Sequence, residues 1–462
     1  MTPRKEKDMK YWKRFACLAM LLGLLLSMAL SVSAEDGGES GIVTGNAGSS
    51  GANVTWTLDL ATGTMTLTPH TMGFVSGKMK DYSCYADTQT QARWYAYRPL
   101  IKTVIVEEGV VNIGNYAFFD CTMLESITLP STVKKIGNGA FLHCSSLKSI
   151  VLPKELNSLG ESVFVGCSSL TSLSVAEGNE SFVSVNGALY DAEKRVLYAV
   201  PCGAESVNLP STLKTIAPYA FSSCRRLQTL VIPPSVSTIG REAFSNCASL
   251  REIELPAYLT RIESGTFAHC LSLSTVRLPA ALSHLAADAF WNCPSLRSFS
   301  LPSANECFAV CDGALYNKQQ TALLLLPAAA ETVTLSEQVK QIAPNAAMGC
   351  ASLKTLALPS GLTDIGHGAF YGCTLLDQLT MADPTAPVTL GYGAFALCEQ
   401  LCDGDVNDSG ETDVLDLLAL ARAIENGSFT LPQLLASDAD GNGRVDANDL
   451  IAHLKAIAAG KR

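Results

Sequence analysis

The chain lacks the local signatures of common catalytic machinery. It has no Gly-x-Ser-x-Gly elbow, no His-Glu-x-x-His helix and no glycine-rich phosphate loop, so the chemistries those motifs position have no foothold here. Glycoside hydrolysis needs only a carboxylate pair with no local signature. Yet no segment outside the repeats described below is long enough for an ordinary glycosidase domain. Positive charge is scarce. Removing the six basic and two acidic residues of positions 1–34 from the chain's 33 and 43 leaves 27 and 41, a net charge of −14. That argues against nucleic acid or an anionic membrane as partner. Beyond residue 30 no apolar run is long enough to suggest a membrane span.

The N-terminus supplies the positive charge missing elsewhere. Arg4, Lys5, Lys7, Lys10, Lys13 and Arg14 precede an apolar stretch of 15 residues, Ala16 to Leu30, and Val32-Ser33-Ala34 offers a cleavage site. The pattern predicts a secretory signal over residues 1–34, hence an extracellular protein with no membrane association after cleavage. Cys17 opens the apolar stretch instead of following it, which disfavours a lipid anchor.

Sixteen cysteines in a secreted chain would ordinarily predict disulfides. Their spacing argues otherwise. Cys121, Cys144, Cys167, Cys224, Cys247, Cys270, Cys293, Cys350, Cys373 and Cys398 each fall three residues after a Phe, or after Ala347 in its place. Phe118, Phe141 and Phe164, then Phe221, Phe244, Phe267 and Phe290, recur every 23 residues. One full unit runs Ile136-Gly137-Asn138-Gly139-Ala140-Phe141-Leu142-His143-Cys144-Ser145-Ser146-Leu147-Lys148-Ser149-Ile150-Val151-Leu152-Pro153. A fixed period of this length with Leu-x-x-Leu-x-Leu spacing predicts a leucine-rich repeat solenoid. The unit resembles the BspA-like leucine-rich repeats of bacterial surface proteins, over roughly residues 100 to 400.

The fold class expected is an α/β solenoid over 101–402. Ile-x-Leu-Pro forms a short strand that Pro ends, and Gly-x-x-Ala-Phe starts a turn and short helical segment opposite. Same-position cysteines on adjacent coils would lie about 5 Å apart and point the same way, poor geometry for a disulfide or a zinc site. They read as small buried thiols. The redox state of Cys84, Cys202, Cys307, Cys311 and Cys402 stays open. His143 and His269 precede ladder cysteines, but adjacent residues point apart and the repeat accounts for both, so a catalytic Cys-His pair is disfavoured.

A longer period lies on top. Phe164 to Phe290 and Phe221 to Ala347 are each 126 residues, an internal duplication. Each block carries an irregular coil, with Asn186-Gly187 and Asp312-Gly313 as hairpin turns. These hairpins either project or fill the solenoid seam. Residues 35–100 lack the period and carry a hairpin around Trp56 and Gly63, so they are expected to form a β-rich N-terminal cap. The outward strand positions, Ser149, Val151, Ser172, Ser174, Asn208, Val231, Glu252, Glu254, Arg277, Ser298, Ser300, Thr332 and Thr334, form the likelier working surface, with one charged patch at Glu252, Glu254 and Arg277.

Two calcium-type loops close the chain. Asp405, Asn407 and Ser409 in one, and Asp438, Asp440 and Asn442 in the other, place side-chain oxygens at loop positions one, three and five. Gly410 and Gly443 permit the turn, Asp416 and Asp449 close each loop, and Glu411 and Arg444 contribute main-chain carbonyls. The loops lie 33 residues apart, each followed by one amphipathic helix pattern. This half-hand duplication resembles the type I dockerin module of cellulosomes, over Asp403 to about Gly460. The resemblance implies a small all-α domain, here 403–462, folded by two calcium ions and docking to a cohesin domain. The family's contact positions fall on Val414, Leu415 and Arg422 in the first copy and on Ala447, Asn448 and Lys455 in the second. Apolar Val414 and Leu415 replace the usual Ser and Thr, so one docking orientation is expected to dominate.

Together these features predict a secreted, monomeric, non-catalytic protein. The dockerin would attach it to a scaffold while the solenoid binds a protein or polysaccharide. The alternatives are a cell-surface adhesin, and an accessory enzyme or inhibitor acting through the solenoid face.

Overall fold

The computed structural model describes residues 41–49, 53–70, 77–85, 90–381 and 388–398, together with the single helical residue Ala452. The expected signal segment, residues 1–34, and all of the expected dockerin, 403–462, except Ala452 lie outside the described residues.

The 23-residue period becomes one coil of a stack. Most Ile-x-Leu segments form front strands that pair in parallel with a neighbouring coil's, in register: Ser149 opposite Ser172, Glu252 opposite Thr275, Thr275 opposite Ser298. Period-two alternation follows, so in Ser149–Leu152 the Ser and Val face out while Ile150 and Leu152 are buried. A second parallel ladder of two-residue strands runs up the back, among them Lys135–Ile136, Thr238–Ile239 and Asp364–Ile365.

The period also stacks the phenylalanines. Neighbouring rings lie nearly parallel with centroids 5.7 Å apart for Phe118 and Phe141, 4.8 Å for Phe221 and Phe244, and 5.3 Å for Phe244 and Phe267. A lone coil would leave these rings wet; stacking buries them in a continuous core. That core falls into three clusters, and the breaks coincide with the two irregular coils.

The leucine-rich repeat solenoid is as the period predicts, but the helical segment expected opposite the strands is a run of tight turns. Bonds such as Phe119 N–H to Tyr116 O and Cys121 N–H to Phe118 O close three-residue steps. The physical reason lies in the backbone. Most coils have two positions with left-handed φ, represented by Tyr116 and Asp120, Tyr219 and Ser223, and Glu242 and Asn246. A left-handed residue every few positions stops a helix from propagating.

Each irregular coil is a three-stranded meander. Phe182–Val185 pairs with Ala188–Asp191, which pairs with Val196–Ala199, and Phe308–Cys311, Ala314–Asn317 and Ala322–Leu325 repeat this. The turn residues Asn186 and Gly187 both have positive φ, 50° and 80°, as a two-residue hairpin turn requires. The third strand of each meander joins the back ladder, so the inserts fill the seam.

At the N-terminal end, Ile42–Asn46, Val54–Asp59 and Thr64–Pro69 form an antiparallel sheet whose last strand pairs in parallel with the first coil strand, Thr103–Val106. Trp56, Tyr82 and Trp94 pack together, and Trp94 lies 6.0 Å from Phe118 while donating Nε1–H to Ala117 O at 2.9 Å. This β-rich cap covers the apolar end of the stack.

Candidate functional site

The front face is the sum of outward strand positions. Val151, Asn208, Val231, Glu252, Glu254, Arg277, Ser300, Thr332 and Thr334 are exposed, and Ser172, Ser174 and Ser298 are half-buried. Ser149 is exposed beside its partner Ser172. The charged patch is real in space: Arg277 lies 3.6 Å from Glu254 across the Glu252–Glu254 and Thr275–Arg277 strand pair.

A feature invisible in the sequence borders that patch. The backbone of Thr229–Ile232 makes no hydrogen bond to any described residue, and Glu252–Glu254 pairs only with the following strand. In the second block the equivalent segments, 126 residues on, form an unbroken parallel sheet of Thr332–Thr334, Thr355–Leu358 and Gln378–Met381. The first block carries Pro233-Pro234 where the second carries Pro359-Ser360. The extra proline removes a donor and restricts the residue before it, which weakens pairing at that strand end. The result is a cleft of about 660 Å³ between Thr229–Ile232 and Glu252–Ala257, with Val231 85 % exposed at its edge. Glu252 and Glu254 stand where the second block has Gln378 and Thr380, so the first block's cleft is the acidic one.

The cysteine ladder has a structural role that its spacing only half reveals. Seven of the described ladder thiols reach the carbonyl of the Phe position one coil back, while Cys224 and Cys350 reach carbonyls of the preceding irregular coil, at Val200, Pro201 and Leu326. Cys144 donates to Phe118 O at 3.1 Å, Cys247 to Phe221 O at 3.2 Å, Cys293 to Phe267 O at 3.1 Å, and Cys373 to Ala347 O at 3.3 Å. A small thiol thus fills the turn and ties adjacent coils through a buried acceptor. Only a three-dimensional offset of 26 residues shows this pairing. The described cysteines are all free thiols, Cys202, Cys307 and Cys311 included.

Burial pushes the thiols of Cys121, Cys144, Cys167, Cys247 and Cys270 well above the ordinary range, and those of Cys293 and Cys350 up to about 12. Thiolate is the reactive form. Iodoacetamide at pH 8 is therefore expected to modify exposed Cys307 in the native protein and to reach these seven only after denaturant is added. Peptide mass spectrometry reads the outcome, and native labelling of the seven would contradict the buried ladder.

The histidines do not join this chemistry. His143 is exposed beside buried Cys144. His269 stacks edge-on against Trp291 at 4.7 Å and pairs through Nδ1 with Asn292 Nδ2 at 2.8 Å. The calcium-loop positions Asp405 to Asp416 and Asp438 to Asp449, and the contact positions Val414, Leu415, Arg422, Ala447, Asn448 and Lys455, lie outside the described residues.

Comparison with known proteins agrees with this architecture. The model for the BspA type leucine rich repeat region matches in six copies over residues 88–186, 196–319 and 328–412. The model for the dockerin type I domain matches residues 403–455. No curated protein matches the chain. Among solved structures, it is similar to a leucine-rich repeat protein from Eubacterium ventriosum at 22 % identity, covering 77 % of this chain and 95 % of that one with a TM-score of 0.44. A leucine rich cell surface protein from Faecalibacterium prausnitzii matches at 20 % identity over 76 % of this chain and 96 % of its own, with a TM-score of 0.41. The pneumococcal vaccine antigen PcpA matches at 24 % identity over 56 % and 62 %, with a TM-score of 0.44. Both families matched are non-catalytic. With six repeat copies spanning well over half of its length, the chain belongs to the BspA-type leucine-rich repeat family.

Proposed function

We propose that this protein is an extracellular binding module held on a scaffold by its C-terminal dockerin and presenting the front face of its solenoid to a ligand. The observation that carries the reading is the fusion of a repeat solenoid with a dockerin-type segment whose donor set suits calcium. Asp405, Asn407, Ser409 and Asp416, and Asp438, Asp440, Asn442 and Asp449, are all hard oxygen donors, with main-chain carbonyls expected from Glu411 and Arg444. In this reading two calcium ions order the segment, and a cohesin takes it through Val414, Leu415 and Arg422, or through Ala447, Asn448 and Lys455. The basic n-region and apolar stretch of residues 1–34 support export, and the acidic mature charge supports a protein or polysaccharide ligand over nucleic acid.

The solenoid's contribution is the front face around the acidic cleft. Exposed Val231, unpaired backbone at Thr229–Ile232 and the Glu252, Glu254 and Arg277 cluster offer apolar, hydrogen-bonding and charged contacts side by side. Such mixed patches suit protein partners.

The test is capture of purified residues 35–462 by a panel of cohesin domains. Capture in calcium, lost both in chelator and in an Asp416→Ala/Asp449→Ala variant, is the expected result. No capture by any cohesin would refute scaffold docking and leave a free adhesin as the better reading.

A further inference from the structure

The duplication places two equivalent seams in one molecule, where the coil before each meander meets the coil after it. The first seam holds an open cleft of about 220 Å³; the second, lined at equivalent positions 126 residues on, retains about 20 Å³. Side-chain size explains the difference. Val165, Ala199, Val200 and Ser222 line the first seam, and Trp291, Leu325, Leu326 and Met348 occupy the same places in the second. The changes of Tyr219 to Asn345 and of Glu161 to Ala287 run the other way and do not offset those four. The first seam is thus a vacancy that this chain's own second copy shows how to fill.

The lining narrows what could enter. Ser222 is only 6 % exposed, and its hydroxyl makes no side-chain hydrogen bond among the described residues but still touches solvent through the cleft. An apolar occupant would cut that hydroxyl off from water without pairing it, at a cost. Glu161 is the one acidic side chain in the lining, and it is already ion-paired with Arg241, which reaches across the seam and lies 5.6 Å over the Tyr219 ring. The pair leaves no spare charge to compensate a desolvated ion. The Tyr219 hydroxyl is engaged with Glu242 at 3.1 Å, while half-buried Tyr198 offers an aromatic body and a free hydroxyl. The volume is below the roughly 300–1,000 Å³ of pockets for drug-sized ligands, so it suits a single ring.

We propose that the first seam is a binding site for one neutral pyranose ring, taken as a free sugar or as the terminal residue of a glycan. Its carbons would lie against Val165, Val200 and Tyr198, and a ring hydroxyl would pair with Ser222. This rests on reading the solenoid as the ligand-binding part, but not on which scaffold holds it.

The experiment is saturation-transfer NMR on the full mature chain with a panel of neutral methyl pyranosides and the matching oligosaccharides. A single ring of about a dozen heavy atoms is expected to bind around 1 mM. Val165→Trp, the residue the second seam carries, is expected to abolish transfer. Ser222→Ala is expected to weaken it about fivefold to tenfold while the fold is kept, as circular dichroism would check. Tighter binding of an oligosaccharide than of its methyl glycoside identifies a glycan terminus; equal binding identifies the free sugar. No transfer from any neutral pyranoside, or transfer unchanged by Val165→Trp, overturns the proposal. Cohesin capture measured on the same sample stays independent, so loss of the sugar signal alone leaves the docking reading standing.

Discussion

Phe244→Ala is expected to destabilise the solenoid by about 4 kcal/mol, within the range for Phe-to-Ala truncation in a packed core. Phe244 is fully buried and is stacked on both sides, by Phe221 at 4.8 Å and Phe267 at 5.3 Å. Truncation removes its own burial and one face of contact from each neighbour. Because each coil touches only its neighbours, the loss is concentrated at the interfaces of three coils. Guanidinium unfolding followed by far-UV circular dichroism should therefore show a lower midpoint, and weakened coupling should split the transition in two. Val231→Ala, on the exposed front face, is the control and should change stability by less than about 0.5 kcal/mol. A Phe244→Ala cost below about 1 kcal/mol would mean that the ring stack is not the core's backbone. The chain contains a natural relative of this change. Ala347 occupies the ladder position in its coil, and the large Leu326, Met348 and Trp291 crowd the seam beside it. That arrangement shows how such a loss is compensated by filling the space from elsewhere, which a single substitution at Phe244 lacks.

What was legible in the sequence was whatever the stacking repeats. A parallel in-register ladder forces the same residue type onto the same spot in each coil, so Phe141, Cys144, Leu147 and Ile150 announce the solenoid by recurrence alone. Asn186-Gly187 announced its hairpin because a tight turn needs positive φ at both residues, and few side chains tolerate it. The turn side was misread as helical because its left-handed positions are held by unlike residues, Asp120, His143, Ser223 and Asn246 among them. Their shared trait, a residue able to adopt positive φ directly before the cysteine, recurs with the 23-residue period, but the residue type changes from coil to coil, so no single residue marks the turn. The thiol-to-carbonyl bonds, the unpaired front segment at Thr229–Ile232 and the open first seam were not legible. Each depends on which coil lies against which, and on small differences between two copies that share a pattern.

Chelating calcium is expected to reduce cohesin capture by more than about 100-fold, and the two loops should lose the ion in a fixed order. Calcium binding by such loops depends on how many carboxylates meet the ion. Among positions one, three, five and twelve, the second loop brings Asp438, Asp440 and Asp449, whereas the first brings only Asp405 and Asp416, with neutral Asn407 and Ser409 between them. One further carboxylate at bonding distance adds Coulomb attraction in the bound state. It also adds repulsion among the like charges when the ion leaves, so the empty second loop is the less tolerable of the two. The second loop should therefore bind about tenfold more tightly. Isothermal calorimetry on the full mature chain should resolve two steps, the tighter one removed by Asp449→Ala and the weaker one by Asp405→Ala. The reverse assignment would refute the charge-count argument. Capture that survives both the chelator and the paired substitution would refute calcium-dependent docking itself. The same titration bears on attachment. If the first loop is the weaker, its helix, with Val414, Leu415 and Arg422, is the last to be ordered as calcium rises. Capture that begins only with the second step would then identify that copy as the docking face, whereas capture complete after the first step would assign the contact to Ala447, Asn448 and Lys455.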